Sequence, residues 1–146
     1  MANKDTRTVQ DETLGVLTWN SQVEWWEGKQ EITLGRTISI TVSADDTPLD
    51  TVLERARRAY RHVQSEEPSL RRAAADALLA LHNEEWNEGS PIDGDAFVSR
   101  MVLKDIAAYD DGSSEVSYDD GDLFWGHTII LSVDEQGTVQ DAGIQG

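Results

Sequence analysis

The sequence predicts an α+β domain, and three observations carry that prediction. Period-two alternation fills the first and last thirds of the chain, as in Thr37 to Val42, where Ile38, Ile40 and Val42 share one face. The middle third switches to helical spacing. Strands followed by helices and then strands is the order of an α+β fold, not of alternating βαβ units. The expected architecture is a mainly antiparallel sheet from the N- and C-terminal strands, covered on one face by two amphipathic helices.

Residues 1–12 are polar and aperiodic and read as a flexible tail, leaving 13–146 as a single domain. Strand character starts at Leu14, with turns expected at Asn20-Ser21 and Gly28-Lys29 and further strand positions at Ile32 and Leu34. Asp46 or Thr47 can cap a helix that has Pro48 at its first position. Leu49, Val52, Leu53, Ala56, Tyr60 and Val63 form its apolar stripe. Pro68 is expected to end that helix and open a second one carrying Leu70, Ala73, Ala74, Ala77, Leu78 and Leu81. Asp93 caps a short third helix with Phe97 and Met101. Asp111-Gly112 and Asp120-Gly121 are hairpin dipeptides. Strands are expected over 115–118 and 123–133, with a turn at Gly137 and a last strand over 138–144.

Composition narrows the function classes. The chain has 146 residues, 38% hydrophobic and 27% charged, which is globular rather than disordered. With 28 acidic against 12 basic residues the formal charge is −16. That field argues against nucleic-acid binding and against anionic membranes, since both need a basic surface. There is no cysteine, so disulfides, thiolate metal sites and cysteine nucleophiles are excluded. No apolar run approaches the roughly 20 residues of a membrane span, and the first residues lack a signal peptide's apolar core. A cytoplasmic location is the expectation.

Charge is segregated along the chain. Six basic residues lie between Arg55 and Arg72, whereas Asp105 to Asp122 holds seven carboxylates and no base. The helical charges read as a solvated face with i,i+4 pairs such as Glu54–Arg58. The acidic hairpins read as a surface for a basic protein partner, with Asp110, Asp111, Glu115, Asp119, Asp120 and Asp122 as contact candidates. Trp26 joins them. In the adjacent pair Trp25-Trp26 one ring must sit on each face, and Val23 places Trp25 inward.

The densest segment is Ser117 to His127. One reading is a metal or hydrolytic site using His127 with Asp119, Asp120 and Asp122, because oxygen ligands plus an imidazole suit divalent cations. The other is scaffold: His127 shares strand parity with Ile129, Leu131 and Val133, and the aspartates surround a turn. No Walker loop, dinucleotide fingerprint, nucleophile elbow or HExxH is present, and no cofactor is implied.

Leu14-Gly15-Val16-Leu17-Thr18-Trp19, Val23 to Gly28, and above all Asp120-Gly121-Asp122-Leu123-Phe124-Trp125-Gly126-His127 followed by Ile129, Ala142 and Ile144 resemble a small bacterial family. It is catalogued as domain of unknown function twenty-two sixty-two. The resemblance runs from about residue 13 to the end of the sequence and implies no activity and no catalytic residues. In size and acidity the chain is similar to small immunity partners of bacterial toxins, an analogy of class only.

Overall fold

The structure is a computed structural model describing residues 7–33 and 35–146. Eight strands form one sheet in sequential order. These are β1 Thr8–Asp11, β2 Gly15–Asn20, β3 Trp25–Thr33 and β4 Arg36–Val42, then β5 Val102–Ala108, β6 Ser114–Asp119, β7 Thr128–Val133 and β8 Val139–Gln145. Every neighbouring pair is antiparallel except β4 and β5, which are parallel. A parallel pair needs a long crossover. Helix α1 (Leu49–Leu81), a π-helical turn (His82–Trp86) and helix α2 (Gly94–Arg100) supply it. The fold is therefore α+β with a mostly antiparallel sheet.

Period-two alternation puts three cross-strand apolar rows on one face. One runs through Trp26, Val42, Ala108 and Val133, and a second through Ile40, Ile106, Val116 and Leu131. The third runs through Leu103, Tyr118 and Ile129. Helix α1 packs against β4, β5, β7 and β8. The alternate rows carry Glu27, Ser39, Thr41, Asp105, Glu115 and Ser132. Burial there holds the Asp105 carboxyl above its ordinary range against the opposing pull of Ser117.

Several expectations change. The tail read over 1–12 ends sooner, because Thr8–Asp11 is a strand paired with β2; residues 1–6, like Leu34, lie outside the described residues. Asp11 explains the ordering. Its buried carboxylate accepts from the Leu14 and Thr13 amides at 2.9 and 3.0 Å and from Arg57 Nε of α1 at 2.8 Å. Gly28-Lys29 is mid-strand rather than a turn. A Cβ at Gly28 would lie 2.4 Å from the Val16 carbonyl oxygen, so the residue is glycine for close backbone approach.

The two long helices are one 33-residue helix with Pro68 inside it. The buried positions Val52, Ala56, Tyr60, Val63, Leu70, Ala74 and Leu78 keep a single helical phase across the proline. Proline costs a helix interior about 3 kcal/mol. Burying Leu70 and Leu78 beyond it returns roughly 1.5–3 kcal/mol each. Around Pro68, Glu67 accepts from Arg71 Nε (2.8 Å) and from the buried Tyr118 hydroxyl (2.9 Å). Arg71 also donates to the Val98 and Met101 carbonyls, so mid-helix is tied to α2 through Arg71 and to β6 through Tyr118. Pro48 stands at the N-cap, with no side-chain cap from Asp46 or Thr47; the Thr47 hydroxyl turns to Asp110 instead. Asp93 caps α2 as expected, accepting from the Ala96 amide.

Gly28→Ala should lower unfolding free energy by about 1–3 kcal/mol, the range for inserting an atom where none fits, read from the urea midpoint. For Asp11, burial pushes the carboxyl up, but the Arg57 and amide hydrogen bonds outweigh it and hold the pKa below the ordinary value. A depressed folded pKa gives stability that is complete above the unfolded value of about 3.9 and lost as pH falls through the folded one. Asp11→Asn should therefore flatten the acid limb of the stability–pH curve, measured by denaturation between pH 6 and about 2.

Candidate functional site

The densest sequence segment folds as a loop, not as a two-residue hairpin. Strand β6 ends at Asp119 and β7 begins at Thr128, so residues 120–127 lie between them. Asp120 organises this loop. Its side chain is turned inward, and the residue is 2% exposed. Oδ1 accepts from the Asp122 amide at 3.0 Å, and Oδ2 from the Phe124 and Gly126 amides at 2.8 and 3.1 Å. A carboxylate receiving three amides satisfies donors that a loop would otherwise leave buried and unpaired.

The backbone follows from that arrangement. Gly121, Asp122, Trp125 and Gly126 all have positive φ. At Gly121 a Cβ would lie 2.2 Å from the Arg100 carbonyl oxygen, so only glycine fits. The reversals send Leu123 and Phe124 fully inward, while Trp125 is left 61% exposed.

An aromatic cluster surrounds the loop. Trp86, from the π-helical turn, packs edge-on against Phe124 (5.7 Å), Trp125 (4.8 Å) and His127 (5.2 Å). The Trp125 indole donates to the Trp86 carbonyl at 3.1 Å. Below them the buried His82 meets Phe124 and Phe97 and bonds the Leu123 carbonyl through Nδ1 at 2.7 Å. That bond makes Nδ1 the donor and leaves His82 Nε2 buried without a partner. Glu84, Glu85 and Glu88, all exposed, flank Trp86 in sequence, so the rings stand in an acidic setting.

The candidates drawn from sequence separate into groups. Trp26 is buried, and Trp25 is the half-exposed ring, which reverses the expectation. Glu24 has φ 58°, β3 begins only at Trp25, and Val23 is therefore off the strand and cannot set its parity. Asp120 is likewise corrected, from a contact residue to the buried organiser of the loop. Asp111, Asp119 and Asp122 are exposed, and Asp110 and Glu115 are half-buried. Asp111 accepts from the Ser113 hydroxyl and amide, which hold its carboxyl below the usual range. Glu115 accepts from the Tyr109 hydroxyl at 2.7 Å; burial, then this carboxylate, push Tyr109 up to about 12.

These acids do not form one patch. Asp110 and Asp111 sit at one end of β6 and Asp119 and Asp122 at the other, separated by a six-residue strand of about 20 Å. Nor do His127, Asp119, Asp120 and Asp122 converge. His127 Nδ1 bonds the Phe124 carbonyl, Asp119 accepts from the Gly121 amide, and Asp120 faces inward. Among the described residues no three His, Asp or Glu side chains are grouped to hold a metal ion. No helix among them is long and apolar enough to cross a membrane.

A buried aspartate bracing an aromatic loop on a mostly antiparallel sheet defines a scaffold that presents a ring. Residues 11–144 match the family described as an uncharacterized protein conserved in bacteria, DUF2262, and the chain belongs to it. No curated protein and no solved structure matches the chain. Trp86, Trp125 and His82 were not among the sequence candidates. Trp125, framed by an aspartate and a glycine at positive φ, carried the one local signal.

Asp120→Ala should cost about 2–5 kcal/mol, since it leaves three inward amides unpaired at roughly 1–3 kcal/mol each with partial rescue by water. Native-state hydrogen exchange at the Phe124 and Gly126 amides checks this, with both accelerating beyond the global change.

Proposed function

We propose that this protein is a non-enzymatic, cytoplasmic interaction protein that binds a basic protein partner, in the manner of an immunity protein toward a toxin. One observation carries the reading: Trp125 is held exposed at φ 59° by a loop whose other large apolar side chains are buried. A bulky residue in that backbone region costs about 1–3 kcal/mol. A ring kept outward at that cost, hydrogen-bonded to Trp86 and braced by Asp120, is pre-organised as a binding anchor.

The electrostatics support the same partner class. The formal charge of −16 draws basic surfaces; exposed Asp122 lies on the ring's own loop, exposed Asp119 ends the strand before it, and exposed Glu84, Glu85 and Glu88 flank Trp86 in sequence. Trp26 and Asp120 leave the contact set because they are buried. Asp110, Asp111 and Glu115 stand at the far end of β6 and serve long-range steering rather than the anchor.

The test is capture from the native host on immobilised protein at low salt, followed by a salt gradient. The expected result is a basic protein that elutes as salt rises and is lost with Trp125→Ala. That variant should weaken affinity at least about thirtyfold, the scale of an interface hot spot, with its circular dichroism and melting midpoint near wild type. Retention of no basic protein, or equal retention by the variant, refutes the proposal.

A further inference from the structure

A second site lies away from the aromatic loop, where the β5–β6 and β7–β8 hairpin tips meet the first half of α1. Residues 112 to 114 and 133 to 137 face Arg55, Arg58 and His62 across a cleft of about 60 Å³. The three basic side chains recur at i, i+3 and i+7 and so share one helical flank. The buried Ser114 also lines it.

Of the four arginines elsewhere on α1, three hold a carboxylate and one a hydroxyl. Arg57 binds Asp11, Arg61 binds Thr13, Arg71 binds Glu67 and two carbonyls, and Arg72 binds Asp95. The two at the cleft retain capacity. Arg55 donates from Nη1 to the Asp110 carbonyl, a neutral partner, and its charge also helps hold the exposed Asp111 carboxyl low, with no ion pair formed between them. Arg58 reaches only Glu54, at 3.6 Å with both side chains more than half exposed, a pairing worth little in water. Of the two carboxylates on the opposite wall, Asp134 is consumed by its own turn, accepting from the Gln136 and Thr138 amides and the Gln140 side chain, whereas exposed Glu135 is the acid a bound anion must displace.

We propose that this cleft binds a phosphate group, clamped by Arg55 and Arg58 and closed by His62 and the Ser114 hydroxyl. Guanidinium forks match the oxygens of a tetrahedral oxyanion, and charge-assisted hydrogen bonds are the strong ones. The distant part of the −16 charge does not forbid it, because at physiological salt fields fade over about 8 Å; the acids that oppose an anion at close range are Asp134 and Glu135 of the wall. The volume suits the head of a ligand rather than a whole cofactor, so the ligand is inorganic phosphate or the terminal group of a phosphate monoester.

Phosphate also stabilises proteins by exclusion from their surface, so the test reads saturable binding. Isothermal titration of the full chain with inorganic phosphate and, separately, phenyl phosphate is run against sodium chloride at equal ionic strength. Saturable heat is expected with at least one of them. Arg58→Gln should weaken binding about tenfold, the loss of one charge-assisted contact, and His62→Gln should weaken it less. Amide shifts on titration should concentrate at residues 112–114 and 135–137. Tighter binding of phenyl phosphate assigns the site to phosphate monoesters, and binding of inorganic phosphate alone assigns it to the free ion. Absence of saturable heat with both ligands, or unchanged affinity in a folded Arg58→Gln variant, overturns the proposal.

Discussion

The Asp120 carboxylate is the contact on which the aromatic-loop end of this molecule rests. A buried carboxylate is costly unless fully hydrogen-bonded. Here both oxygens are occupied by amides of the very loop that buries them. That reciprocity fixes which residues point inward. Leu123 and Phe124 fill the space under the π-helical turn, His82 ties that turn to the Leu123 carbonyl, and Trp125 has nowhere to go but out. The outward ring is thus a product of internal satisfaction rather than of a flexible surface.

Packing joins this end to the rest of the sheet. The Glu67–Arg71–Tyr118 group links mid-helix, α2 and β6. Burial and then the Glu67 carboxylate push the Tyr118 hydroxyl far above its ordinary pKa, so it remains a neutral donor. Asp11 and Arg57 do the equivalent for β1, and Tyr60 donates to the Glu31 carbonyl of β3. Helix α1 therefore holds both halves of the sheet by specific polar contacts as well as by its apolar stripe. The buried face itself fixes strand register, because a one-residue slip would turn its apolar rows to solvent.

Much of the fold was legible because it depends on local periodicity and turn chemistry. The alternation of β4, the Asp93 cap, the Asp111-Gly112 hairpin and the Gly137 turn are all short-range signals. The site was less legible because its determinants are conformational. A single positive φ at Glu24 exchanged the faces of Trp25 and Trp26. Asp120 reads as a hydrophilic turn residue, yet its side chain points into the loop it organises. Pro68 reads as a terminator, but the helical phase from Val63 to Leu70 passes through it unbroken. Gly28 looks like a bend until the Val16 carbonyl beneath it is known.

The strand order has a kinetic consequence. Six of the seven neighbouring strand pairs are joined by local connections, and only the parallel seam between β4 and β5 requires closing the entire helical segment into a ring. Ring closure is paid for mainly in chain entropy and grows slowly with length. Two early-forming ribbons, each assembled from neighbours, would therefore wait on one late docking event, and the rate of that event is set by how soon the long helix forms its stripe.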